Sequence, residues 1–269
     1  MKIRISVLIG LILVSLIAGA ALLASQIAPY SPFQQNLAND LLAPSQEHLL
    51  GTDKLGRDVW TRTLYGARIS LAVGITAVTL SVLIGFSIGA LSGYFGGWVD
   101  GVLMRLTDVL MAFPGILLAI SLAAFLGPGL QHVILALCLS GWTGYARLVR
   151  GEILTLRERE FIHAARSIGC GPARIIFRHL LPNILSPLIV QGTFGMATAI
   201  MAEGGLSFLG IGTPPPVPSW GSMLSEGRQF ILIAPHLTTF PGLAIMVTVL
   251  ALNLIGDGLR DGLEKAEKR

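Results

Sequence analysis

Few residues in this chain could do covalent chemistry, and their spacing argues against it. The two cysteines, Cys138 and Cys170, and the five histidines, His48, His132, His163, His179 and His236, form no cluster at zinc-ligand spacing. With Cys138 in an apolar block and Cys170 in a charged one, a disulfide framework is excluded as well. None of the four lysines follows a glycine, so the GxxxxGK[ST] loop that cradles nucleotide phosphates is missing and ATP cannot be held by that device. HExxH does not occur, and GLSFLG (Gly205–Gly210) fails the GxSxG spacing of a nucleophile elbow. No catalytic residue, metal ligand or resident cofactor is expected here.

What remains is one isolated acid and one basic segment. Glu203 ends an apolar stretch, in AIMAEGGLSFLG, with no cation within four residues. An acid at membrane depth faces a protein interior or a watery cavity, which makes Glu203 a candidate pathway or gate residue. The other reading is that it has already reached the external interface, where it costs little. The basic segment runs from Arg147 to Asn183, RLVRGEILTLREREFIHAARSIGCGPARIIFRHLLPN, and holds seven of the nineteen Lys and Arg residues. Phe161, Ala165 and Ile168 recur at i, i+4 and i+7, which predicts an amphipathic helix with one apolar stripe turned from the charges. Gly169-Cys170-Gly171 supplies a turn, and Pro172 suits the first position of a second short helix. Helix, turn and helix make a docking surface for a soluble partner. A solvated basic loop held near anionic lipid is the alternative.

The elements that must position these residues are membrane spans. Only 13% of residues are charged, 53% are hydrophobic and the mean hydropathy is +0.72, against about 25% charged in a soluble domain. The net charge of +4 follows membrane topology and is not read as nucleic-acid affinity. Ile5 to about Ile27 is an apolar block of about twenty residues, longer than the apolar core of a cleaved signal, about 7–15 residues, and suits a spanning helix. Ile69–Phe95 carries no charge and is rich in small residues (Gly74, Gly85, Ser87, Gly89, Ser92, Gly93) that let helices pack closely. Val109–Ala146 also lacks Asp, Glu, Lys and Arg, and its 38 residues fit two spans turning at Gly127-Pro128-Gly129. Ile184–Ala202 and His236–Gly256 complete six. Asp108 lies three residues after Arg105, a spacing that predicts a surface pair between them.

With both termini inside, fourteen cations are cytoplasmic, among them Lys2, Arg4, Arg105, the seven of the segment, Arg260, Lys265, Lys268 and Arg269. Five are external: Lys54, Arg57, Arg62, Arg68 and Arg228. That asymmetry sets the orientation. The external GTDKLGRD (Gly51–Asp58) either caps the outer mouth, contacts a substrate-delivering protein, or only shapes turns through Gly51, Asp53, Gly56 and Asp58, the reading preferred here. Thr213–Pro218 (TPPPVP) cannot continue a regular helix and forms a stiff external connection. The expected organisation is an anchor with external segment (1–68), a transmembrane core (69–257) and a cytoplasmic tail (258–269).

The basic segment resembles the cytoplasmic coupling loop of ATP-binding-cassette importer permeases, whose pattern is Glu-Ala-Ala, three residues, Gly, nine residues, Ile, one residue, Leu-Pro. Ala164-Ala165, Gly169 and Leu181-Pro182 fall in register, while His163 stands where the pattern has Glu and His179 where it has Ile. Leu50–Leu71, Ser92–Ile120, Gly205–Phe230 and Phe240–Leu263 are similar to the second permease subunit of oligopeptide, dipeptide and nickel importers, so the resemblance covers nearly the whole chain. It implies an all-α integral membrane protein with six transmembrane helices in the type I importer permease fold, carrying a cytoplasmic coupling-helix hairpin. It implies that Glu160, His163, Ala164, Ala165, Arg166, Gly169, Leu181 and Pro182 couple to an ATPase. The implied partners are a homologous second permease, two subunits that bind ATP and Mg, and an external substrate-binding protein, with membrane lipid around them. The implied location is a bacterial cytoplasmic (inner) membrane. Di- or oligopeptides are the expected cargo, with nickel or glutathione as alternatives. A stand-alone channel or secondary transporter is the rival class; the hairpin, the lack of a repeated half and the scarcity of charge within the spans weigh against it. An integral-membrane enzyme has no motif behind it.

Overall fold

The computed structural model describes residues 5–267; Lys2, Arg4, Lys268 and Arg269, used above for orientation, lie outside the described residues. Its regular elements are helices: α1 (Ile5–Leu22), α2 (Ala24–Ile27), α3 (Val59–Phe95), α4 (Gly97–Met111), α5 (Gly115–Leu126), α6 (Leu130–Leu156), α7 (Glu160–Ser167), α8 (Pro172–Arg174), α9 (Leu181–Phe208), α10 (Trp220–Gly227) and α11 (His236–Glu267). Among the described residues five helical runs are long and apolar enough to cross a bilayer: α1, α3, α6, Pro172–Phe208 and most of α11. The pair α4–α5, bent by 85°, makes a sixth crossing when taken as one span.

That bend corrects the straight third span expected from Val109. Pro114 lacks an N–H and disfavours helical backbone at Phe113, so α4 stops at Met111 and α5 restarts at Gly115. The 12 residues of α5 cover about 18 Å, short of the roughly 30 Å of hydrocarbon. Two other spans run past their apolar blocks. α3 begins at Val59, ten residues before Ile69, because Asp58 caps it: its Oδ2 accepts the Thr61 N–H at 2.8 Å. α6 continues beyond Ala146 to Leu156 and carries Arg147 and Arg150 on its last turns. The turn at Gly127–Gly129 lies where expected, with both glycines at positive φ.

α3 and α6 form the centre of the bundle, and glycine spacing explains their approach. Gly85, Gly89 and Gly93 lie four apart on α3, against the backbone or Cβ atoms of Trp142, Tyr145, Ala146 and Ile153 on α6. A Cβ at Gly89 would stand 2.4 Å from the Ala146 carbonyl oxygen. Small residues at such spacing let helices meet where lipid offers no hydrophobic drive. Gly89→Leu should therefore cost about 1–3 kcal/mol or more through overpacking and lower membrane abundance. Gly101→Leu, where a Cβ meets nothing within 4 Å, should be silent. Equal abundance and equal thermal stability in detergent for both variants would overturn this account of the α3–α6 contact.

Candidate functional site

The basic segment folds into two limbs. α7 opens with Glu160 in its first turn and closes with Arg166 in its last, each suited to the dipole at its end. Gly169 then takes φ +81°. Its N–H bonds the Arg166 carbonyl at 2.9 Å and the Cys170 N–H bonds the Ala165 carbonyl at 3.0 Å, a Schellman closure that requires a left-handed residue. Pro172 opens α8 as expected. The second limb, however, is no separate short helix. It passes through a π-helical stretch, Ile175–Leu180, straight into α9. Pro182, one residue into α9, explains the widening: its ring would crowd the carbonyl four residues back in a regular α-turn, so the Leu181 N–H reaches Ile176 instead.

The expected apolar stripe is split. Ile162 is fully buried and Ala165 is 4% exposed, both packed in one core with Ile175, Ile176 and Leu180. Phe161 is 43% and Ile168 81% exposed, and Ala164 is exposed between them. On two turns of helix the 161/165/168 and 162/165 registers are nearly equivalent by spacing, and the aliphatic core beneath selects the second. Positions 161, 164 and 168 form an outward apolar face instead. Ala165 therefore serves the fold, and a charge placed there reports on folding rather than docking. His163 is exposed, Leu181 half-buried and Pro182 exposed.

Salt bridges and a cation–π contact brace this surface on the spans. The Arg166 guanidinium lies 5.4 Å from the Tyr94 ring centroid at the C-terminal end of α3. Arg157 Nη1 donates to the Gly93 carbonyl at 3.1 Å. Arg150 Nε and Nη2 donate to both Asp100 oxygens at 2.5 and 2.6 Å, and the Ser92 hydroxyl donates to the same carboxylate. Asp108 pairs with Arg147 of α6 at 2.5 Å, which corrects its expected pairing with Arg105.

Glu203 is fully enclosed by the chain, so it is not held by exposure to water. Ser70 of α3 donates to its Oε2 at 3.1 Å and Ser207 to its Oε1 at 2.7 Å. Gly221 of α10 sits where a Cβ would be 2.7 Å from the Gly204 backbone. The acid thus ties α3 to α9, and Ser219 at the cap of α10 joins them through the Ser207 hydroxyl at 3.5 Å. A cavity of about 320 Å³ lies between α3, α5, α6 and α9 and is bounded in part by Ser81, Ser140, Tyr145, Gln191, Thr198 and Ala202, the neighbour of Glu203. Sequence reasoning had no means of finding these wall residues, because they converge from separate spans.

Sequence reasoning also missed a buried charge cluster. Gly51 and Gly56 do shape turns, at φ +79° and +65°, and Thr52 bridges Asp58. The same segment buries Arg57 and Arg62, 2% and 1% exposed. Arg57 bonds Asp53 at 2.6 Å and Glu226 at 2.5 Å, and Arg62 reaches the same Glu226 oxygen at 3.2 Å. His48 Nδ1 lies 2.9 Å from Asp58. Only a charge count could have hinted at a partner as distant as Glu226.

The family described as "Binding-protein-dependent transport system inner membrane component" matches residues 81–269, and that described as "N-terminal TM domain of oligopeptide transport permease C" matches residues 6–44. A dipeptide transport system permease protein of Alkalihalophilus pseudofirmus is 47% identical over 97% of this chain and 86% of the relative. A glutathione transport system permease protein of Pectobacterium atrosepticum is 46% identical over 97% of this chain and 87% of the relative. Among solved structures, a chain of the MetNI methionine ABC transporter in inward-facing conformations aligns with a TM-score of 0.60 at 21% identity, covering 74% of this chain and 94% of that one.

Proposed function

Because this chain belongs to the binding-protein-dependent transport inner-membrane family and has the type I ABC importer permease fold, we propose that it forms half of a translocation pathway for di- or oligopeptides. The other half would be a homologous permease. ATP and Mg would be held, and ATP cleaved, by two partner subunits, with cargo delivered by an external binding protein. Of the alternatives, glutathione is itself built of amide-linked amino acids, and the named relatives carry dipeptide and glutathione; this favours peptides over nickel.

The observation that carries the reading is the outward face of Phe161, Ala164 and Ile168, flanked by Glu160, His163 and Gly169 and braced to the C-terminal end of α3. An apolar face on water needs a cover, and a braced one transmits the cover's motion. Closure of the ATPases on nucleotide would push α7, and through Arg166, Arg157 and the π-helical limb shift α3, α6 and α9 between inward- and outward-open packings. That is a two-state element biased by a ligand on another chain. Leu181 and Pro182 sit at the joint of the second limb. Glu203, holding α3 to α9, suits a gate that keeps the outer half together. Residues 1–68 act as an extension, 69–257 as the translocating core and 258–269 as a tail, although α3 and α11 run through both limits.

Affinity purification of the tagged chain tests this reading. A second permease and two ATPase subunits should be recovered, and the complex should move peptides only with ATP. A homodimer that transports without any ATPase would sink the proposal. Orientation is tested by thiol labelling in sealed cells. Gln46→Cys and Leu232→Cys, both exposed, should react with an impermeant reagent, while native Cys170 stays protected until the membrane is opened. Labelling of Cys170 in sealed cells would reverse the orientation and remove the docking face from the cytoplasm.

A further inference from the structure

Among the described residues, none that lines the cavity between α3, α5, α6 and α9 is charged. Its contributors lie near the middle of long helices: Ala77 and Ser81 in α3, Ser140 and Tyr145 in α6, Gln191 and Thr198 in α9. At about 320 Å³ it stands at the lower end of small-ligand sites, about 300–1,000 Å³. It can hold a short stretch of extended chain and nothing folded.

Its polar groups differ in what they have left to offer. Ser81, Ser140 and Thr198 each spend their hydroxyl proton on a backbone carbonyl, of Cys138, Leu137 and Phe194. Tyr145 does not. It is 5% exposed, and its hydroxyl is lodged so close to Gly195 that a Cβ there would stand 2.0 Å away. Yet the phenol has no hydrogen-bond partner among the described residues, and it is absent from the sealed, unbonded hydroxyls, which are those of Thr61 and Thr213. The Gln191 amide is likewise unpartnered among the described residues and exposed. A buried polar group without a partner is costly, so a phenol held against the one residue that leaves room for it marks a place where a partner is supplied from the cavity.

We propose that this cavity is the pathway wall for the peptide main chain, with the Tyr145 hydroxyl and the Gln191 amide bonding cargo amide groups; the inference rests on the peptide-importer reading above. Both groups donate and accept, which matches an amide's N–H and C=O. A wall without charge leaves side-chain charge unselected, so acidic and basic peptides pass alike and selection among them falls to the external binding protein.

The test uses the assembled transporter in membrane vesicles with two tripeptides of the same length, one carrying Lys and one carrying Glu. Tyr145→Phe keeps the ring and removes one hydroxyl. It should lower uptake of both peptides at sub-saturating concentration about two- to ten-fold, the effect of one lost hydrogen bond, with subunit recovery unchanged. Gln191→Glu should then favour the Lys peptide and Gln191→Lys the Glu peptide, each relative to wild type, a reversal that no purely structural role produces. Normal uptake in Tyr145→Phe, or the same peptide ratio in both Gln191 variants, would overturn the assignment. Loss of the second permease from the Gln191 variants would overturn it too, by showing that the cavity is filled by the partner chain. If the wild-type transporter moves neither peptide, the importer reading itself fails, an outcome distinct from silent variants on an active wild type.

Discussion

Arg62→Ala should strip most of the folded protein from the membrane, whereas Arg147→Ala should leave its abundance nearly unchanged. Both arginines face carboxylates, but in different surroundings. Arg147 and Asp108 have side chains 48% and 53% exposed, and such a pair contributes about 0–1 kcal/mol. Arg62 is 1% exposed and shares Glu226 with Arg57, itself nearly buried, while Asp53 bonds Arg57 from the other side. Two cations thus stand against two anions. Removing Arg62 leaves Asp53 and Glu226 to share Arg57 alone, one negative charge in excess, and a void where a long side chain was, together about 3–5 kcal/mol out of a total stability of about 5–15 kcal/mol. The cluster also fastens the start of α3 to the end of α10, so its loss frees α10 from the bundle. Glu226→Ala should be comparably harmful, and the Arg62→Ala, Glu226→Ala double variant less harmful than the two losses added, since the partners are removed together. Membrane abundance and melting temperature in detergent of the four variants decide it. If Arg62→Ala melts with Arg147→Ala, the cluster contributes nothing to stability.

The same cluster shows where the sequence stopped being legible. Charge-free length marked out the spans, because a bilayer forbids unpaired charge and fixes the length needed to cross it. The rule misplaced the start of α3, since Arg62 and Arg68 made Val59–Arg68 look like loop. Both are helical because their partners come from elsewhere: Glu226, 164 residues away, for Arg62, and the carbonyls of Ala21 and Leu22 at the end of α1 for Arg68. The break at Pro114 is a different kind of miss. Its signal was local and present, a Phe-Pro-Gly step inside an apolar run, and reading the run by charge alone passed over it. On α7 the amphipathic pattern was visible, but two turns of helix do not fix which apolar residues face inward. Ile162 and Ala165 were chosen by Ile175, Ile176 and Leu180, which only the fold brings beneath them. Gly169 was legible outright, because its left-handed backbone follows from the turn it must make. The cavity wall was not, as Ser81, Tyr145 and Gln191 share nothing in sequence that marks a common surface.

Coupling to the ATPase is expected to fail in Ile168→Asp and Phe161→Asp while the permease itself remains folded. Ile168 is 81% and Phe161 43% exposed, so a carboxylate at either position costs the isolated chain little. Under a partner the same carboxylate would be desolvated without a mate. Truncating a well-packed interface residue costs about 2 kcal/mol or more, about thirty-fold in affinity, and burying a charge adds to that. Gly169→Val should act by another route. A Cβ there meets nothing within 4 Å, so there is no clash, only the strain of a β-branched residue at φ +81°, about 1–3 kcal/mol. The closure of α7 loosens and the outward face loses its position. Gly169→Asn, which enters the left-handed region more readily, should keep most uptake, and that pair separates backbone strain from side-chain size. If the segment is instead a tether to anionic lipid, the pattern inverts. Arg159→Ala, an exposed cation outside the bracing contacts, would then be the harmful change, and Ile168→Asp would be silent. Uptake, membrane abundance and ATPase recovery measured on all five variants separate the two. Full uptake with bound ATPase in Ile168→Asp, Phe161→Asp and Gly169→Val would remove α7 from the coupling path.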